Sequence, residues 1–147
     1  MKTFDPKGKP KSWSIEITPK ESKTISCFST FLDRDTKVNV TNLPKTSVTD
    51  IFATVEKLKH DGMNPVPHIT ARTLIDEDEL ATIVEKYATL EVSEVLIIAG
   101  NKFQPAGSFS SSSDLISSGV FEHFGICLLY TSQSPRDATL SRMPSSA

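Results

Sequence analysis

The chain is poor in the features that mark several functional classes. Among its 147 residues there are two cysteines, Cys27 and Cys127, too few and too far apart for a disulfide framework or a cysteine-based metal site. Neither a GxGxxG pattern nor a Walker A loop occurs, so the common nucleotide fingerprints are missing. There is no long hydrophobic run. The longest, Val95 to Ala99, falls far short of the about 20 apolar residues a membrane-spanning helix needs. Nor is there an excess of positive charge. With 16 basic and 18 acidic residues the net charge is −2, which argues against a nucleic-acid partner. Residues 1–11 are basic, but no apolar stretch follows, so they do not read as a secretory leader. They are expected to be disordered, and a cytoplasmic location is expected. What remains is the composition of an ordinary water-soluble domain, 37% hydrophobic and 23% charged.

The pattern along the chain is an alternation. Strand-like runs occur at Trp13–Ile17, Lys37–Thr41, Val66–Thr70 and Val95–Ala99, mostly rich in β-branched residues and bounded by Pro, Gly or Asn. Segments with helical spacing lie between them: Ile25, Phe28, Phe31 and Leu32; then Val48, Ile51, Phe52, Val55 and Leu58; then Leu80, Ile83, Val84 and Tyr87. Ser47 with Asp50, and Asp76 with Glu79, have the spacing of side chains that cap a helix start, and Gly62 suits a helix end. Ser111 with Asp114 marks a fourth helix carrying Leu115, Ile116 and Phe121. The order is βαβαβαβα. Strands joined by crossover helices run parallel and need helical cover. Two architectures fit, a (β/α)8 barrel and a doubly wound open sheet. A barrel takes roughly 250 residues, so this chain would hold about four βα units, the N-terminal half of one.

In both architectures functional residues gather at the C-terminal ends of the strands. Glu16, between Ile15 and Ile17, is either an outward charge on an edge strand or an inward carboxylate with a raised pKa, suited to general acid catalysis. Thr41 ends the second strand and is either a β-former or a hydroxyl offered to a ligand. His68 follows two prolines whose nitrogens cannot donate to a neighbouring strand. A single histidine is more often packed than ligating, and without a second ligand at metal spacing no metal is assigned. Gly100 and Asn101 form a turn or a place of close ligand approach. The run Gly107 to Asp114 is a flexible loop or a hydroxyl-rich phosphate cradle.

These stretches together resemble the methylenetetrahydrofolate reductase family. The resemblance rests on Ser14-Ile15-Glu16-Ile17-Thr18-Pro19-Lys20, on Val38-Asn39-Val40-Thr41, on Pro67-His68-Ile69-Thr70, and on Gly100-Asn101, Pro105-Ala106-Gly107 and Ser113-Asp114-Leu115. Each is weak alone; their order and spacing over residues 12–126 carry the match. The resemblance implies a TIM barrel that binds FAD and reduces 5,10-methylenetetrahydrofolate to 5-methyltetrahydrofolate in one-carbon and methionine metabolism. Its partners would be the folate, NAD(P)H or another electron donor, and a second copy of the full-length chain as a possible homo-oligomer, with no membrane or nucleic acid. Glu16 falls on the family's catalytic glutamate, which protonates the folate. Thr41 and His68 fall on flavin contacts, as do Gly100 and Asn101. Ser111 and Ser112 fall in the loop around the flavin's phosphate region.

Three positions depart from the family pattern: Asn101 stands where many members have Asp, Ala99 where some have Arg, and Ser111 where some have Tyr. An alternative is a folate-binding relative that does not use flavin; another is an open-sheet interaction domain. At Cys127 the character of the chain changes. Residues 127–147 have no periodicity and resemble a translated sequencing adapter, so they are expected to be a non-native tail. The apolar start of that tail is nonetheless of a kind that lies readily along an open sheet edge. The chain as it stands is expected to be an inactive fragment.

Overall fold

The computed structural model describes residues 14–100, 104–131 and 140–142. Five parallel strands are joined by helical crossovers: β1 (Ser14–Ile17), β2 (Lys37–Val40), β3 (Asn64–Thr70), β4 (Glu94–Ile98) and β5 (Cys127–Thr131). A short β6 (Leu140–Arg142) pairs antiparallel with β5. The spatial order follows the chain order from β1 to β6. A doubly wound sheet reverses its order at a switch point. None occurs among the described strands, and right-handed crossovers in one direction put successive helices on one face. The arrangement is an α/β sheet of sequential parallel strands, consistent with a partial α/β barrel.

The two long helices form where the spacing predicts. In α2 (Val48–His60) the Ser47 hydroxyl accepts from the Asp50 N–H, and in α3 (Glu77–Thr89) the Asp76 carboxylate accepts from the Glu79 N–H. Gly62, at φ +84°, takes the left-handed conformation just beyond the end of α2. Ile51, Val55 and Leu58 of α2, with Leu80, Val84 and Tyr87 of α3, are buried in one core with Val38, Val40, Ile69, Val95 and Ile97 of the strands. Side chains alternate along a strand. The register therefore sets Ile17, Val38, Val40, Ile69, Val95 and Ile97 on the helix-covered face, and Glu16, Asn39, Val66, His68, Thr70 and Glu94 on the other face, which the helices leave open; there Glu16 is exposed and Asn39 half-buried, while Val66, His68, Thr70 and Glu94 are buried.

The expected first helix over Ile25 to Leu32 does not form. Its place is taken by a four-residue helix, α1 (Pro19–Ser22), and a 3-10 turn at Phe28–Thr30. The Thr18–Glu21 capping box with Pro19 in the first turn starts the helix early. The Lys57 ammonium then takes the carbonyls of Ser22 and Ile25, groups a continuing helix would use internally. Phe28 drops into the core and Phe31 stays exposed, so the two do not share a face. Cys27 lies just before that 3-10 turn, its Sγ 2.9 Å from Ser29 Oγ. The fourth helix is also divided. Gly119, at φ +73°, separates α4 (Ser112–Ser117) from α5 (Val120–Phe124), so Phe121 belongs to the second piece.

The third strand starts two residues earlier than expected and is central despite Pro65 and Pro67. It manages this by dividing its partners: residues 64–67 lie in register with β2, and residues 68–70 with β4. The segment Cys127–Thr131, expected to open a non-native tail, lies along the edge of β4 as the fifth strand. Trp13 and the expected disordered segment 1–11 lie outside the described residues.

Two substitutions test this packing by equilibrium urea denaturation. Leu58→Ala, emptying a fully buried position on α2, should cost about 2–5 kcal/mol. Ser47→Ala, removing the cap of the same helix, should cost about 1 kcal/mol.

Candidate functional site

The open face and the C-terminal ends of the strands carry the polar residues. Glu16 stands beside Asn39 in the β1–β2 register, on the face away from the helices. Its side chain is exposed. The carboxylate thus lies on the side away from the helices and is not buried. Thr41 follows β2 directly and is buried. Its N–H donates to the Ile17 carbonyl at 3.1 Å, and its hydroxyl lies 3.5 Å from the same oxygen. This hydroxyl is turned toward β1 rather than offered freely.

His68 is the most informative of the expected residues. It is 8% exposed, and no group among the described residues meets its Nε2. Burial holds its pKa down at about 4, so the ring is neutral at physiological pH. Two residues on, and on the same face, the Thr70 hydroxyl is likewise buried without a partner among the described residues. Buried polar groups are normally hydrogen-bonded, so these two stand out together; the third buried atom without a partner among the described residues, Glu94 Oε2, lies at the opposite end of the strands.

Both residues line a cleft of about 270 Å3. One wall is the loop after β2, with Leu43, Pro44 and Lys45; the other is the turn before α3 and α3 itself, with Thr73, Leu74 and Ile83, and the helix-side residues Ile51, Ile69 and Tyr87 also line it. Leu43 and Val48 at this cleft are exposed apolar side chains. An apolar wall with a few fixed polar atoms is the usual make-up of a small-molecule site.

The remaining expected residues have structural duties. Gly100 has φ +96°, and a Cβ there would come within 2.3 Å of Thr70 Cγ2. Glycine is required for the end of β4 to pass so close to β3. Ser111 caps α4: its hydroxyl accepts from the Asp114 N–H, while the Asp114 carboxylate takes the N–H groups of Ser110 and Ser111. Those backbone hydrogen bonds, that of Ser110 foremost, lower the Asp114 pKa. The Ser111 hydroxyl is thus committed to the helix start, and Ser112 opens that helix half-buried. Asn101 lies outside the described residues.

The structure adds groups that the sequence pattern did not single out. Lys37, at the start of β2, and Glu94, at the start of β4, reach across β3 and pair at 2.8 Å, with Glu94 buried. Each stands at the head of a strand-like run, and each alternates onto the open face. That parity, together with opposite charge, was the available signal. The Thr70 hydroxyl and the cleft wall at Leu43 to Lys45 had no signal beyond their position after a strand. Among the described residues no group of three or more acidic, His or Cys side chains is placed to hold a metal ion, and no helix is long and apolar enough to cross a membrane. No protein-family model matches the chain.

The His68 environment predicts a pH dependence of stability. The unfolded ring takes a proton near pH 6.5, whereas the folded one resists it until about pH 4. Stability is therefore full above pH 6.5 and falls through the window from 6.5 to 4, by on the order of 3 kcal/mol in all. Denaturation midpoints of wild type and His68→Gln, measured from pH 7.5 to 4, should differ in slope, with the variant losing less. Parallel curves would show that His68 is not buried as described.

Proposed function

We propose that the chain is part of a flavin-dependent methylenetetrahydrofolate reductase, comprising the N-terminal portion of its TIM barrel. The observation that carries the reading is the placement of Glu16 and His68. Two residues whose surrounding motifs resemble the family's fall on the same face of β1 and β3, the parallel strands on either side of β2, toward the strand ends where such folds do their chemistry. The sequential strand order supports the barrel over an open doubly wound sheet.

The residues present fit an uncharged ring edge. His68 Nε2 and Thr70 Oγ1 are buried and unmet among the described residues, and a neutral imidazole can donate or accept toward a planar heterocycle without an ionic penalty. FAD, when bound, supplies the hydride that reduces the folate. His68 would hold the ring edge, and the apolar side chains of Leu43, Val48 and Ile83 would exclude water around it. Glu16, exposed on the open face, is free to meet a substrate there. Its carboxylic acid would give its proton to the bridging folate nitrogen, so that the ring opens to the iminium that accepts hydride. The carboxylate left behind would face the developing positive charge and stabilise it.

The remaining contacts would come from the rest of the barrel, with residues 127–147 as a foreign tail. On that reading the 147-residue chain alone has no reductase activity, since half of a barrel leaves its strand edges and inner side chains without partners.

The test uses the full-length gene product, assayed in its two half-reactions. Glu16→Gln should slow folate reduction by about 100-fold or more while flavin reduction by the electron donor continues largely unchanged, because only the folate step needs the proton. Equal losses in both steps would make Glu16 structural and remove this function's acid.

A further inference from the structure

An asparagine between two valines is unusual in a parallel strand, where the pleat favours β-branched residues. Asn39 is such a residue, and it points away from the helix-packed core that takes Val38 and Val40. In the register it stands directly beside Glu16. Its Nδ2 donates to Ser14 Oγ at 3.3 Å and to the Ile15 carbonyl at 3.4 Å. The Ile15 carbonyl can only accept, so the amide's orientation is fixed with its NH2 group on that side. The other end, Oδ1, meets no donor among the described residues and lies on the face that Glu16 shares. The Ile15 carbonyl also belongs to the peptide bond that carries the Glu16 nitrogen, so the same side chain steadies the backbone from which Glu16 projects.

We propose that Asn39 is a positioning residue for Glu16, its Oδ1 accepting a hydrogen bond from the protonated carboxyl and so holding the acid ready to deliver its proton to substrate. An amide oxygen suits this because it accepts from a carboxylic acid and is not met favourably by a carboxylate. Asn39 therefore favours the acid form without adding charge to the site. The other titratable groups on this face of β2, β3 and β4 are Lys37 and Glu94, already paired with each other, and neutral His68. None supplies an acceptor of this kind beside Glu16. The inference rests on Glu16 being the proton donor of the proposed reaction.

The experiment is the pH profile of the folate half-reaction in the full-length protein, with Asn39→Ala and Asn39→Asp. Removing the acceptor in Asn39→Ala should move the limb where the rate falls with rising pH downward by about one pH unit. Asn39→Asp sets a second carboxylate beside the first and should move the same limb upward, because like charge disfavours ionisation. Opposite shifts in the two variants, with flavin reduction by the donor unchanged, support the assignment. A purely structural Asn39 would slow both half-reactions and leave the limb in place in both variants, which overturns it. Glu16→Gln, run alongside, separates the two levels: if it retains the folate half-reaction, the proposed function itself fails, whereas loss there with an unmoved limb in the Asn39 variants rejects the positioning role alone.

Discussion

Everything in this fold follows from the parallel pairing of β2, β3 and β4. Parallel neighbours cannot be joined by a tight turn, so each connection must cross over the sheet, and here the long crossovers are α2 and α3. Successive crossovers in one direction deliver their helices to one side. The alternation of the strands then divides the residues into two populations. Val38, Val40, Ile69, Val95 and Ile97 go under the helices and form the core. Glu16, Asn39, His68, Thr70 and Glu94 are left to the open face, where chemistry is possible. The polar face is thus a consequence of the pairing.

The polar residues on that face differ sharply in environment, and the differences suit different tasks. His68 is buried deeply enough to stay neutral, which leaves its Nε2 an uncharged polar atom without a partner among the described residues. Glu94 is buried too, but the Lys37 ammonium across β3 compensates it, which makes the pair part of the framework at the opposite ends of the strands. Glu16 is exposed on the edge strand, where a substrate can reach it. Gly100 serves the same region indirectly: only a residue without a Cβ lets the end of β4 pass Thr70 at that distance.

The parts of the structure written in local pattern were legible in the sequence. The β-branched runs set the strands to within a residue or two, and the Ser47 and Asp76 caps marked the starts of α2 and α3. The region after β1 was misleading because Ile25, Phe28 and Phe31 have helical spacing, whereas the deciding contact is Lys57, some thirty residues on, taking the carbonyls of Ser22 and Ile25. Gly119 likewise divides what the apolar spacing suggested was one helix. For the site, the positions of Glu16, Thr41 and His68 at strand ends were readable. Their environments were not. His68 is buried beside the 42–46 loop, whereas Glu16 is exposed on β1, and neither environment is written in the residues around them. The commitment of the Thr41 and Ser111 hydroxyls to the backbone is a matter of side-chain rotation that no residue pattern encodes.

The central claim is that this open face belongs to a flavoprotein acting on a reduced folate. The most direct measurement is the visible absorption spectrum of the purified full-length protein, recorded as isolated, after reduction by an electron donor, and after addition of 5,10-methylenetetrahydrofolate. The account predicts a bound-flavin spectrum that the donor bleaches and the folate restores. A protein that is colourless, takes up no added FAD and leaves the folate unchanged would contradict it.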